Sequence, residues 1–409
     1  MYNEGNEVVL VSCCRTGIAK YGGTLKDYDP IDLSCVTAVE AIKRAGITPD
    51  MVDEHVMGMA VPHNNGSSPP RIVAMKIGMR EDSGASTTNQ NCASSMRALD
   101  VAAMKLALGQ TQIALVSGTE MQSRAPYMLP NMRWGARLND TKCVDALQKD
   151  GMFDAIAQMP MGSTAENIAE MYGITREQCD EVALIDHRRC ARATDEGRFK
   201  SQIVPVEIKT KKGTLIYDTD ENFMRGTDMG KLGKLPSVFK KGGVVTAGNA
   251  SSLNDASSAV VLMTKKKAKE LGVTPLMKLL TVTTGGVRPE VMGLGPVVAI
   301  AKALKETGMT FTDIDYWELN EAFASQIIGC FRKTKDEYGY DFDLGTLERD
   351  GNVNNNGSGI ALGHPVGQTG LRLVTVMYYE LERLGKTTGV ASLCVGGGAA
   401  MASVWTRDI

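Results

Sequence analysis

The chain has 409 residues, 43% hydrophobic and 22% charged, with a formal net charge of −2. That length exceeds what one ordinary core holds and implies two or three domains. The charge balance excludes a protein built to coat nucleic acid or an anionic membrane, and no apolar run is long enough to span a bilayer.

Val8-Val9-Leu10-Val11-Ser12 reads as a buried strand, followed by a loop through Gly17 and Gly22-Gly23. Ile31 to Ala45 has helical period, with Ile31, Cys35, Ala38, Val39, Ile42 and Ala45 on one face and Gly46 as the stop. Val52 to Gly58 is a second short strand, Asn64 to Pro70 a loop, and Arg71 to Gly78 a helix. A polar run, Thr87-Thr88-Asn89-Gln90-Asn91, then ends at Cys92. A helical pattern rich in alanine follows and stops at Gly109, a natural C-cap. So small and apolar a helix is expected between other layers. Ile113 to Gly118 is a buried strand ended by glycine. This alternation indicates an α/β unit with much parallel pairing.

From Met121 to about Val244 the chain is richer in Met, Arg, Asp and Lys. Helices fit Thr164 to Tyr172 and Arg176 to Glu196, and Ile203 to Ile208 is its one strand-like run, so the segment reads as an insertion. Ala259 to Met263 restores a buried strand, and Lys265 to Leu271 a charged helix. Beyond it the pattern repeats. Gly46-Ile47-Thr48-Pro49-Asp50-Met51-Val52-Asp53 parallels Gly308-Met309-Thr310-Phe311-Thr312-Asp313-Ile314-Asp315, and Val390 to Gly396 echoes Ile113 to Gly118. Two echoes in the same order indicate a duplicated α/β unit. Sites in such folds gather at strand C-termini and helix N-termini.

The nine cysteines are scattered and contain no C-x-x-C pair, so neither a zinc ribbon nor a dithiol redox site is indicated. The vicinal pair Cys13-Cys14 reads as packing. No signal peptide precedes Val8, and Thr406-Arg407-Asp408-Ile409 is not a peroxisomal address, so a reducing cytoplasm is the expected location.

Cys92, at the start of its helix, is the candidate nucleophile: free N–H groups and the helix dipole there favour a thiolate and a lowered pKa. The competing reading is a small core cysteine. Three further stretches fall at strand ends of the repeat. Trp317 to Ala324 offers Asn320, a neutral donor and acceptor. Asn352 to Pro365 is rich in asparagine and glycine and presents His364. Ser392 to Gly398 sets Cys394 beside three glycines, where backbone N–H groups can approach an oxyanion. Each also has a plain reading as a turn. Together they assemble two thiols, an imidazole and an amide at matching ends of a duplicated fold, and a Cys/His pair is one way to activate a nucleophile.

With these stretches in hand, the chain resembles the thiolases over nearly its whole length. The matching residues are Asn91-Cys92-Ala93-Ser94, Gly118-Thr119-Glu120-Met121, Arg133-Trp134-Gly135, Thr164-Ala165-Glu166-Asn167, Val245 to Ser251, Asn254-Asp255, Asn320 to Ala324, Gly363-His364-Pro365 and Cys394 to Gly398. The resemblance implies a five-layer αβαβα sandwich of two like α/β domains, residues 1–120 with 246–272 and residues 273–409. A loop domain, residues 121–245, would cover the CoA site. It implies acyl transfer between CoA thioesters: thiolysis of a 3-ketoacyl-CoA and the reverse Claisen condensation. Cys92 would carry the acyl group. His364 would accept its proton, and Cys394 would exchange a proton with the α-carbon. Asn320 would hold a water at the thioester enolate oxygen. Backbone N–H groups of Cys92 and Gly396 would form an oxyanion hole. Ser251, Arg225 and Met161 match positions near CoA. No metal or redox cofactor is implied beyond CoA as substrate and product, and the expected assembly is a homodimer or homotetramer.

Two departures stand out. Pro160 occupies a position where many acetoacetyl-CoA thiolases have His, which leaves open a synthase for longer or branched acyl groups. Asn355 and Ser358 stand where apolar or glycine residues are usual, close to the His364 turn. A non-catalytic CoA- or lipid-binding protein on this fold is the alternative from another class.

Overall fold

The computed structural model describes residues 6–346 and 349–409. Strand β1 (Val8–Arg15) is buried along its whole length. Its alternating side chains feed two cores, Cys13 into an inner cluster and Cys14 into an outer one, and both thiols are free. Helix α1 (Pro30–Arg44) is capped by the Asp29 side chain, which accepts from the N–H groups of Ile31 and Asp32. The chain then turns at Gly46, whose φ of 68° favours glycine. One 3-10 turn (Pro49–Met51) leads into strand β2 (Glu54–Gly58). Helix α2 (Pro69–Ile77) leads to strand β3 (Gly84–Thr88), helix α3 (Ser94–Ala107) and strand β4 (Ile113–Met121).

The inserted segment carries helices α4 (Met161–Tyr172) and α5 (Arg176–Asp195) and a hairpin of β5 (Val206–Thr210) and β6 (Gly213–Tyr217). The strand expected from Ile203 starts only at Val206. Before it, the backbone is committed elsewhere: Arg15 N–H donates to Gln202 O and Val204 N–H to Arg15 O.

The second half follows as β7 (Asn254–Thr264), α6 (Lys265–Leu271), β8 (Met277–Gly286), α7 (Gly295–Thr307), β9 (Tyr316–Leu319), α8 (Ala324–Tyr338), α9 (Thr369–Leu384), β10 (Thr388–Val395) and β11 (Ala399–Thr406). Gly308 repeats the turn of Gly46 with φ 71°, and Phe311–Asp313 repeats the 3-10 turn before β9.

The strands lie in the order β9-β10-β11-β8-β1-β7-β4-β2-β3, with Ala19–Lys20 beside β7. The order is a palindrome of the repeat: β8 answers β1, β11 answers β7, β10 answers β4 and β9 answers β2. The two half-sheets meet at β1 and β8 through Val9↔Lys278 and Leu10↔Met277 alone. The parallel pairing expected from the sequence is confined to the flanks, where β2 pairs with β3 and β4, and β9 with β10. The centre is antiparallel, because β7 returns beside β4 after the insertion and β11 folds back on β10 through Gly396-Gly397-Gly398.

Helices α3 and α9 pack against each other between the two half-sheets. Met96, Leu99, Ala102, Leu106, Leu371, Val374, Met377 and Leu381 are fully buried there in one core. Helices α1 and α2 cover the outer face of one half-sheet and α7 that of the other. No helix among the described residues is long and apolar enough to cross a membrane.

Gly118 lies inside β4 rather than ending it. A Cβ there would stand 2.5 Å from the Ser95 Cβ, and one on Gly58 would stand 2.3 Å from the Ser95 backbone nitrogen. Gly370 makes the same approach from α9, 2.6 Å from the Met96 nitrogen. These three glycines let the first turn of α3 lie directly on β2, β4 and α9. Gly58→Ala must push that turn away, so it lowers stability by about 1–3 kcal/mol. The thermal unfolding midpoint should fall, and an unchanged midpoint would show that the turn has room to move.

Candidate active site

The approach to α3 is a self-bonded turn. Ala93 N–H donates to Gln90 O, and Ser94 N–H to Asn91 O. The Ser94 hydroxyl accepts from Gln90 N–H at 3.0 Å and donates to Asn91 O at 2.7 Å. Asn91 takes φ 45°, a left-handed conformation that asparagine tolerates better than most residues. Cys92 therefore stands at the apex, one residue before the N-cap Ala93.

A second turn faces it, at the β10–β11 hairpin. Gly397 N–H donates to Asp154 Oδ2 at 2.7 Å, and Asn91 Nδ2 donates to Gly396 O at 3.3 Å. The backbone N–H groups of Gly396 and of Cys92 itself are directed at the Cys92 thiol. A Cβ on Gly396 would stand 2.4 Å from Met161 Cε, so any side chain there would have to displace the end of the Met161 side chain from the cavity wall.

His364 is presented by a third turn. Gly363 has φ 105°, and a Cβ on it would stand 2.5 Å from the Asn254 amide. Asn254 Oδ1 in turn accepts from His364 N–H at 2.9 Å. Glu120, buried at the end of β4, accepts from the N–H groups of Ala60, Val61 and Gly367 and so ties this turn to the loop after β2. Burial raises its pKa to about 7 against those three donors. Asn355 and Ser358 brace the turn: Asn355 Nδ2 donates to Glu380 Oε1 at 3.0 Å, and the Ser358 hydroxyl to Leu319 O at 2.9 Å.

Cys92, His364 and Cys394 line one cavity of about 260 Å³, together with Ser251, Met161 and Pro160. Its other walls include Phe323, from the marked Asn320–Ala324 stretch, and Gln122, Phe239 and Met292, which no sequence motif marked. The loop carrying Ser251 is held against them by Ser251 N–H donating to Ala322 O. A neighbouring cavity of about 550 Å³ is lined by Gly396, Asn91, His63 and Asp154, and Met161 lines both.

Asn320 lies behind the first cavity. Its Oδ1 accepts from Arg372 Nη2 at 2.7 Å, while its Nδ2 is buried without a partner in the protein. The fixed oxygen leaves the amide N–H groups available. Arg225 does not reach the cavity. It is exposed, paired with Asp195 at 2.8 Å and stacked on Phe223, so its charge is already met at the surface.

Burial governs the charges here. The expected lowering of the Cys92 pKa does not occur: desolvation pushes it up to about 11, although the N–H groups of Gly396 and Cys92 pull it down. Cys394 is pushed well above the usual thiol range, first by burial and then by the nearby Cys92. Burial and the Arg372 charge lower His364 to about 3. At neutral pH the site thus holds two thiols and a neutral imidazole whose Nε2 has no partner in the protein. It can pass a proton without carrying a standing charge.

A duplicated α/β fold that brings two thiols and an imidazole onto one cavity is an arrangement suited to acyl transfer. The comparisons with known proteins make this specific. Residues 8–266 match the description "Thiolase, N-terminal domain" and residues 273–407 "Thiolase, C-terminal domain". An acetyl-CoA acetyltransferase of Syntrophomonas wolfei is 43% identical over 400 residues, 97% of this chain and 98% of that protein. One from Escherichia coli is 39% identical over 98% of both chains. Among solved structures, an acetyl-CoA acetyltransferase from Syntrophomonas wolfei superposes with a TM-score of 0.96 at 52% identity, covering 98% of this chain and 100% of that one. Human mitochondrial 3-ketoacyl-CoA thiolase in complex with CoA gives 0.90 at 35% identity over 98% of both. The chain belongs to the thiolase family.

The charge assignment is testable on the resting protein. A thiol–imidazole pair makes alkylation of Cys92 by iodoacetamide rise with pH through the alkaline range, following a pKa above 9 toward about 11. A rate already at its plateau between pH 5 and pH 8 would instead indicate a thiolate–imidazolium pair.

Proposed function

We propose that this chain is an acyl-CoA C-acyltransferase, cleaving a short 3-ketoacyl-CoA such as acetoacetyl-CoA with free CoA and running the reverse condensation of acetyl-CoA. The observation that carries the reading is the convergence of Cys92, Cys394 and His364 on one cavity, with backbone N–H groups aimed at the Cys92 sulfur. His364 Nε2 takes the Cys92 proton, and the thiolate attacks the thioester carbonyl. The oxygen of the tetrahedral intermediate takes up the N–H groups of Cys92 and Gly396. The C–S bond to CoA then breaks, and the proton passes from His364 to the departing sulfur.

Once acylated, Cys92 is covalently occupied, so proton exchange with the α-carbon of an acetyl unit falls to Cys394, the second thiol on the same cavity. Asn320 Nδ2 holds a water that, with His364, stabilises the thioester enolate oxygen. The enolate carbon then attacks the acyl–Cys92 carbonyl, so the C–C bond forms as the C–S bond to Cys92 breaks, and the proton taken from the α-carbon returns to the Cys92 sulfur. Thiolysis runs the same steps in reverse, and two separate groups are needed because one thiol is covalently occupied.

The wall of Phe239, Phe323, Met161 and Ser251 supports this cavity as the pantetheine channel. The inserted segment supplies Pro160, Met161 and Phe239 to it, which supports residues 121–245 as a covering domain on two like domains. Arg225, at the surface, would have to leave Asp195 to meet the nucleotide end of CoA. Self-association as a dimer or tetramer is supported by exposed apolar side chains on one loop, Tyr127, Leu129, Met132, Trp134 and Leu138. A cytoplasmic location fits the free cysteines.

Pro160 and the larger cavity beyond Met161 favour a second reading, a thiolase-like synthase for longer or branched acyl groups. Turnover across 3-ketoacyl-CoA chain lengths separates the two.

Intact mass after incubation with acetyl-CoA should show one acetyl group, absent from Cys92→Ala. Cys394→Ser should slow condensation far more than this loading. Acetylation surviving in Cys92→Ala would move the nucleophile elsewhere, and equal losses in Cys394→Ser would contradict its role at the α-carbon.

A further inference from the structure

The first turn of α9 carries a group that bears directly on the base. Thr369 Oγ1 lies 2.6 Å from His364 Nδ1 and 3.0 Å from the carbonyl oxygen of Pro365. All three residues are buried, and His364 alone of them lines the cavity. A threonine hydroxyl has a single proton. The Pro365 oxygen can only accept, so the hydroxyl donates to it and turns its lone pairs to the ring. The ring proton then belongs on Nδ1, donated to Thr369, and the lone pair on Nε2.

The opposite assignment places an N–H at Nε2. That nitrogen is buried and has no partner in the protein. It shares its cavity with Cys92 and Cys394, two thiols that burial holds protonated and that are weak acceptors. A lone pair at Nε2 complements an S–H donor, whereas an N–H does not.

We propose that Thr369 is a positioning residue that holds His364 in the Nδ1–H tautomer and in a fixed ring orientation, so that Nε2 is always the proton acceptor on the cavity that Cys92 lines. The proposal rests on the acyltransferase reading for its consequence, and for the tautomer on the Thr369 hydrogen-bond geometry and the two buried thiols. When Nε2 takes the proton from Cys92, the ring becomes an imidazolium. The Nδ1–H···Oγ1 bond is already in place and strengthens as the ring gains charge, so no group has to turn. When the proton goes on to the leaving sulfur of CoA, the ring returns to the starting tautomer. The chain Pro365 O, Thr369 hydroxyl, His364 ring thus accommodates both charge states without rearranging. Its anchor is firm, because Thr369 opens a helix buried between the two half-sheets.

The test pairs Thr369→Val, which keeps the shape and removes the hydroxyl, with Thr369→Ser, which restores it. Full-length protein labelled with ring-15N histidine gives the tautomer from the Nδ1 and Nε2 shifts; with four histidines in the chain, His364→Asn assigns the signal. Wild type and Thr369→Ser should show Nδ1–H, and Thr369→Val a mixture. The rate of Cys92 acetylation by acetyl-CoA should fall about ten- to a hundredfold in Thr369→Val, as when other functional histidines lose an orienting partner, and recover in Thr369→Ser. Nδ1–H retained in full by Thr369→Val overturns the proposal. So does a shifted tautomer with an unchanged acetylation rate. Wild type that never acetylates would defeat the acyltransferase reading instead, while the nitrogen shifts still decide the tautomer.

Discussion

The first turn of α3 lies so close to its neighbours that no side chain fits between them. Gly58 on β2, Gly118 on β4 and Gly370 on α9 each bring backbone against Ser95 or Met96. The rest of the site depends on this contact. It fixes the turn that lifts Cys92, and through α9 it places that turn in register with Thr369 and Arg372. Those two residues stand behind His364 and Asn320. One packed helix pair between two half-sheets therefore sets the positions of Cys92, His364 and Asn320, the groups to which the proposed mechanism gives its roles.

Such burial has an electrostatic consequence. A helix N-terminus and two directed N–H groups favour a thiolate at Cys92, yet desolvation wins and leaves a thiol. The same desolvation keeps His364 neutral and Cys394 protonated. A resting ion pair would pay for burying two charges, whereas the neutral site moves a proton only when a thioester arrives to receive the thiolate. In the proposed mechanism the N–H groups of Cys92 and Gly396 are in place before the charge forms, so they need no rearrangement as it does.

Much of this was legible in the sequence, for physical reasons that differ by element. The duplication shows because Gly46 and Gly308 both need a left-handed turn, and both precede a 3-10 turn with threonine at its N-cap position, Thr48 and Thr310. Cys92, His364 and Cys394 stand out because each sits beside residues that only a tight turn explains. The antiparallel centre was not legible, since periodicity within a strand does not reveal which strand it pairs with. Strand β3 was missed because its Gly-Ala-Ser-Thr-Thr sequence has no apolar face. Gly118 was misread as a stop because close packing and a chain turn call for the same residue. The raised pKa of Cys92 and the roles of Thr369 and Arg372 depend on what lies behind them in space, and no local pattern carries that.

The central claim, acyl transfer through Cys92 in the shared cavity, is most directly tested by acetoacetyl-CoA consumption on addition of free CoA, with Cys92→Ala measured alongside. The account predicts rapid loss of acetoacetyl-CoA with appearance of acetyl-CoA in the wild type and none above background in the variant. Equal consumption by both proteins would contradict it.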